Sequence, residues 1–322
     1  MKRIVFFIIA SLLLFLAACT NESSGEVSNG SGNESYKMAS VYMTLSSDYW
    51  QLHKAGAEAA ADDLGISLDV LGPAEETMFE EQVKIVEDQL SAGADALVVA
   101  PSLPEAMLPA LQQASNQDVP VVLADADIEE FTDKVTFVGV ENYEAGKLAG
   151  EYISEQLEDG DTVAIIRGQL GAKVHDDRTN GFQDALEEKD IEIVVQDGQS
   201  DRVRAVNITE DFLTNDLDIK AIFATNDEMA LGAHQGLDNN ARTDIPVIGF
   251  DGTPDALQAI VDGKLNADIA YDPYQMGYTS IESAYKALEG EEVDDEIFAE
   301  VNVVTSETAE EEVEKINGYL GN

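Results

Sequence analysis

From Tyr36 onward, short β-branched apolar runs alternate with longer stretches in which apolar residues recur every three or four positions. The runs fall at 39–44, 67–71, 96–100, 119–124 and 135–138, and again at 163–166, 191–195, 221–224, 247–250 and 267–270. A last run covers 298–304, and a helix-like tail follows from Ser306. Between the runs lie stretches with helical period, such as 51–64, 76–92 and 105–114. Near-continuous apolar strands alternating with amphipathic helices predict an α/β fold, with parallel sheets covered on both faces.

The pattern repeats at an offset near 125 residues. Val119-Pro120-Val121-Val122-Leu123-Ala124-Asp125 aligns with Ile245-Pro246-Val247-Ile248-Gly249-Phe250-Asp251, and Ala96-Leu97-Val98-Val99 aligns with Ala221-Ile222-Phe223-Ala224. This predicts two similar Rossmann-like lobes, each with an Asp just past an equivalent strand. Ligands of open α/β sheets bind beyond the carboxyl ends of the strands. Facing lobes would therefore set Asp125 and Asp251 on opposite walls of one cleft. Taken singly, either Asp could equally be a turn or cap residue.

The N-terminus has a different character. Lys2 and Arg3 precede an apolar segment, Ile4 to Leu16, which is shorter than the roughly 20 residues of a membrane span. Leu16-Ala17-Ala18-Cys19 then resembles a bacterial lipobox. That resemblance implies a signal peptide over 1–18 and acylation of Cys19, with two chains enough for stable membrane anchoring. A buried free thiol or an uncleaved anchor helix is the plainer alternative. Residues 20–35 are Ser, Gly, Asn and Glu with almost nothing apolar, the composition of a flexible tether. Cys19 is the only Cys, so an acylated chain has no thiol left for a disulfide or a nucleophile.

Composition narrows the partners. Against 64 Asp+Glu stand 18 Lys+Arg, a net charge of −46, while the charged fraction is an ordinary 25% and the hydrophobic fraction 44%. The acidity comes from replacing cations, not from adding charge, and it reads as a solvated surface adapted to its medium. Nucleic acid is excluded as a partner, because phosphate binding needs clustered cations. No phosphate-binding Gly-x-x-x-x-Gly-Lys, no Gly-x-Ser-x-Gly elbow and no His-Glu-x-x-His occurs, and His53, His175 and His234 are far apart. No metal, cofactor or catalytic residue is expected.

Several segments resemble the bacterial solute-binding proteins for sugars, the periplasmic binding protein type I fold, most closely the ribose-binding type. They are Asn226-Asp227-Glu228-Met229-Ala230-Leu231-Gly232-Ala233, Val247-Ile248-Gly249-Phe250-Asp251-Gly252-Thr253-Pro254-Asp255, Gly263-Lys264-Leu265 and Val138-Gly139-Val140-Glu141-Asn142. The resemblance implies two lobes joined by three hinge strands, with crossings near 140–142, 271–273 and Glu300. The first lobe would be 36–140 plus 273–299 and the second 141–272 plus 300–322, after a lipidated tether at 19–35.

The resemblance also implies a ligand site. Tyr49 and Trp50 fall on the stacking positions, Asp125, Arg178, Asn226 and Asp251 on the polar contacts, and Asn142 on a further cleft position. Carboxylates, amides and guanidinium forks suit sugar hydroxyls, and aromatic rings suit the C–H faces. Ser47 stands where the family has Asn. His175, beside Asp176 and Asp177, could touch ligand or lie on the surface. Three departures put ribose itself in question: Ala126 replaces an Arg, Ser200 an aromatic and Tyr271 an amide.

The implied function is capture of a sugar or polyol for the membrane subunits of an ABC importer, by a monomer anchored through its lipid on the outer face of the cytoplasmic membrane. The alternative is a sensor that shows its closed form to a chemoreceptor or sensor kinase. Paired carboxylates also suit a glycosidase, but nothing in the sequence signals a raised-pKa acid, so a non-enzyme is expected.

Overall fold

The computed structural model describes residues 35–215 and 217–320. The signal segment, Cys19 and the tether through residue 34 lie outside the described residues. Among the described residues, no helix is long and apolar enough to cross a membrane.

Two six-stranded sheets form the body. The first contains β1 (Lys37–Val41), β2 (Ser67–Leu71), β3 (Ala96–Val99), β4 (Val121–Ala124), β5 (Thr136–Gly139) and β11 (Glu296–Phe298). The second contains β6 (Thr162–Arg167), β7 (Glu192–Asp197), β8 (Ile219–Ala224), β9 (Val247–Asp251), β10 (Ala267–Ala270) and β12 (Asn302–Thr305). Their orders are β11-β5-β4-β3-β1-β2 and β12-β10-β9-β8-β6-β7, the same arrangement twice. The repeat read in the sequence is thus a repeat of topology, with β3 and β4 standing where β8 and β9 stand. Every residue of β3, β4 and β9 is buried, as continuous apolar strands covered on both faces require.

One expectation changes. The apolar run at 298–304 is two strands rather than one: β11 pairs parallel with β5, and β12 pairs antiparallel with β10. The run holds no Gly or Pro, and its break falls where the resemblance implied the third crossing, near Glu300. The break exists because the chain passes from one sheet to the other at 299–301. The chain also passes between sheets at 140–141 and 271–272. The first and third passages run side by side, with Ala299 N–H donating to Gly139 O at 2.8 Å.

Among the described residues, ten helices cover the sheets. Those that matter for the cleft are α1 (Asp48–Leu64), α4 (Asn142–Ser154), α5 (Lys173–Ala185), α7 (Asp227–Asn239), α8 (Pro254–Val261) and α9 (Pro273–Leu288). Their starts are encoded locally: Asn226 and Asp272 accept the N–H of Met229 and Gln275 as N-caps, and Pro254 and Pro273 occupy first turns. Helix α4 lies against α5 at backbone distance. A Cβ on Gly181 would stand 2.0 Å from Tyr143 O, and one on Gly146 2.2 Å from Arg178 O. This contact fixes the turn of α5 that carries Arg178.

Gly181→Ala tests the contact. The better helix propensity of Ala is worth at most ~1 kcal/mol, whereas forcing the helices apart costs about 1–3 kcal/mol. The urea midpoint is therefore expected to fall with an unchanged slope.

Candidate functional site

The cleft is built from strand ends. Asp125 follows β4 and Asp251 ends β9, and both have left-handed backbones, with φ +62° and +122°. Non-glycine residues rarely hold such angles, and the strain persists only where neighbours over-determine it. Here β-pairing does so: Asp125 N–H donates to Val138 O at 2.8 Å, and Asp251 is in register with Ala270. The turn directs each carboxylate into the cleft rather than along its sheet.

Arg178, on α5, is the centre. It is 2% exposed. Its Nε donates to Asn142 Oδ1 (2.8 Å), and Nη1 donates to Thr225 O (2.8 Å) and Asp251 Oδ1 (3.1 Å). Nη2 donates to the Tyr271 hydroxyl at 3.3 Å, and that hydroxyl in turn donates to Asp251 Oδ1 at 2.9 Å. The guanidinium also lies 3.7 Å over the Phe250 ring. A guanidinium has five N–H groups, and these contacts use four.

Aromatic rings line the other wall. Trp50 stacks on Tyr42 at 5.1 Å between centroids and meets Tyr49 edge-on at 4.8 Å. Tyr49 then meets Tyr271, and Tyr271 meets Phe250, both edge-on near 6 Å, at 6.0 Å and 5.9 Å. The series carries packing from the first lobe, past the second passage of the chain, to the second lobe. Tyr49 donates to Asp125 Oδ1 at 2.5 Å.

Of the residues expected in the site, Tyr49, Trp50, Asp125, His175, Arg178, Asn226 and Asp251 converge on one small cavity. Asn142 and Tyr271 stand behind it as partners of Arg178. Ser47 stands apart: it precedes α1 and lines an outer groove of about 590 Å³ with Glu75, Arg202 and Arg204. The reading of His175 as a surface residue is corrected. It is 4% exposed, with Nδ1 2.9 Å from Thr225 Oγ1 and Nε2 3.2 Å from Ser200 Oγ. Asp176 and Asp177 face outward, whereas 174, 175, 178, 181 and 182 form the buried stripe of α5. That helical spacing was the available signal.

Sequence reasoning missed Glu76, which accepts from Trp50 Nε1 at 3.4 Å and lies 4.0 Å from His175 Nε2 of the other lobe. It also missed Phe250 beneath Arg178. The space left in the cavity is about 20 Å³, room for roughly one water.

Comparison with known proteins decides the family. The model of the periplasmic binding protein domain matches residues 39–292. The chain belongs to the periplasmic binding protein family. It is 34% identical to the ribose import binding protein of Escherichia coli over 257 residues, covering 80% of this chain and 86% of that one. To the ribose import binding protein of Bacillus subtilis it is 33% identical over 308 residues, covering 95% and 99%. Among solved structures, the periplasmic solute binding protein of an ABC transporter from Actinobacillus succinogenes, with bound D-allose, is 30% identical with a TM-score of 0.79, covering 86% and 99%. As a periplasmic binding protein, the chain is a solute binder rather than an enzyme, and its place is outside the cytoplasm.

The electrostatics of this binding protein follow from burial. Burial raises the Asp125 carboxyl, partly opposed by Arg178 and by the Tyr49 hydrogen bond. Burial raises Asp251 further, again opposed by Arg178. The raised carboxyls invisible in the sequence are thus present, as a consequence of burial that Arg178 only partly offsets. For Arg178, burial acts against the charge, but Tyr271, Asp251 and Asp125 outweigh it and the net shift is upward. The cleft offers carboxylate acceptors from both lobes, one spare guanidinium N–H and aromatic faces.

Asn142→Ala removes the acceptor of Arg178 Nε. A buried donor left unpaired costs about 1–3 kcal/mol, to be read as a lower urea midpoint of the ligand-free protein. Asn142→Asp keeps an acceptor and is expected to lose less.

Proposed function

We propose that the protein captures a neutral sugar or polyol between its lobes and delivers it to the membrane subunits of an ABC importer. The observation that carries this reading is the buried Arg178 beside two strand-end carboxylates, Asp125 from one lobe and Asp251 from the other, with Tyr49 and Trp50 alongside. Adjacent hydroxyls pair with carboxylates and a guanidinium through charge-assisted bonds, and ring C–H faces pack on aromatics. A ligand touching both Asp125 and Asp251 binds the closed form better than the open one, and that difference drives closure. Asn226, which caps α7 and lines the cavity, and His175 complete the second-lobe wall.

The ligand of this reading is a pentose other than ribose, a hexose or a polyol. Ala126 supplies no cation, Ser200 no ring, and the Tyr271 hydroxyl occupies Asp251 and Arg178. The protein acts as a monomer, tethered by acylated Cys19 to the outer face of the cytoplasmic membrane.

Calorimetry of the body from Tyr36 against pentoses, hexoses, polyols, nucleosides and amino acids tests the reading. A polyhydroxylated ligand is expected to bind. Arg178→Ala and Asp251→Ala each strand a buried charge, and breaking such a pair costs about 3–5 kcal/mol, so binding should weaken by more than a hundredfold. Binding of amino acids alone, or unchanged affinity in both variants, overturns it.

A further inference from the structure

A second acidic pair lies behind the cleft. Asp227, the first residue of α7, is 1% exposed and Asp268, in β10, is 0% exposed. Both reach the face of Gly249 in β9, where a Cβ would stand 2.4 Å from Asp268 Oδ2 and 2.5 Å from Asp227 Oδ1. Both oxygens crowd the same point above Gly249, so the two carboxyls are immediate neighbours. Together they accept the backbone that surrounds Asp251. Asp227 takes the N–H of Phe250 at 3.1 Å and of Thr253 at 2.8 Å, and Asp268 takes that of Gly252 at 2.9 Å.

The pair lacks a donor. Asp268 Oδ2 is buried with no hydrogen-bond partner among the described residues. Among the described residues, no lysine, arginine or histidine is bonded to either carboxyl. The charged groups that face the pair are Asp251 on β9, which repels it, and Arg178 on α5, which favours the ionised form of Asp268. Two adjoining carboxylates without a counter-ion of their own do not both ionise in a buried site. A single bridging proton supplies the donor that Asp268 Oδ2 is missing.

We propose that Asp227 and Asp268 share one proton in the native protein and serve as positioning residues, clamping the 250–253 backbone so that Asp251 is presented to Arg178 and to the ligand. The clause about ligand rests on Asp251 being a binding residue, as argued above. Burial raises both carboxyls, Asp268 to about 6 and Asp227 well above its ordinary value. A raised acid adds stability fully present below the ordinary value of 3.8 and lost as pH rises through the raised one. The clamp therefore loosens toward alkaline pH.

Asp268→Asn replaces the proton by a permanent amide donor, and Asp268→Ala removes donor and acceptor alike. In infrared spectra near neutral pH, the wild type is expected to show a protonated-carboxyl band that Asp268→Asn lacks. From the ordinary value of 3.8 up through the raised value of about 6, the wild type is expected to lose melting temperature, and sugar affinity by up to about tenfold per pH unit. Asp268→Asn should give a flatter profile and Asp268→Ala should be weaker throughout. Identical infrared spectra, or superimposable pH profiles of wild type and Asp268→Asn, overturn the inference. The infrared comparison needs no ligand, so failure of every sugar to bind would overturn the proposed function and leave this result standing on its own. The band is expected to persist in Asp125→Asn and Asp251→Asn, which assigns it to this pair even where Asp268→Asn does not fold, and its loss in either variant overturns the inference.

Discussion

A buried guanidinium in a chain of net charge −46 is the constraint around which the cleft is organised. Arg178 cannot shed its proton, so every N–H it buries needs an acceptor, and each acceptor has to be brought from a different part of the fold. Asn142 comes from the first turn of α4, Thr225 from the end of β8, Asp251 from the end of β9 and Tyr271 from the second passage between lobes. The glycine contacts of α4 with α5, the left-handed turn at Asp251 and the capped start of α7 all serve this set of bonds. Since Tyr271 also meets Tyr49 edge-on, the cation's environment is mechanically continuous with the first lobe.

Duplication explains why the strained aspartates come as a pair. Equivalent strands in equivalent sheets end at Asp125 and Asp251, and each turns left-handed at the same step. The lobes have nonetheless diverged around them. Asp125 is held by a tyrosine hydroxyl from its own lobe, whereas Asp251 is held by an arginine, a tyrosine and a backbone clamp. The second lobe therefore carries most of the preorganisation, and the first carries the apolar wall.

Much of this was legible from residues alone. Strands β3 and β4 lie where their apolar runs place them, because a strand buried on both faces is written almost continuously in Val, Ile, Leu and Ala. The aspartates at strand ends were visible through the repeat. What stayed hidden shares one cause, which is that it depends on contacts between distant segments. Glu76 opens a stretch of helical period, yet the helix itself starts at Phe79 and Glu76 lies in the loop before it, where only the approach of the other lobe gives it a role. Asp268 occupies a polar position in a short strand, which ordinarily reads as solvent-facing, yet β9 and α7 enclose it completely.

The three passages between sheets also bear on how the protein is made. Neither lobe is a continuous piece of chain. The first lacks α9, which packs on β3, β4 and β5, and its edge strand β11 until residues 273–298 have been synthesised. Domains ordinarily fold as they emerge from the ribosome, but here the N-terminal half has no complete core to collapse onto for most of translation. A polypeptide that works outside the cytoplasm thus carries, in its topology, a delay that keeps it threadable until its last segments exist.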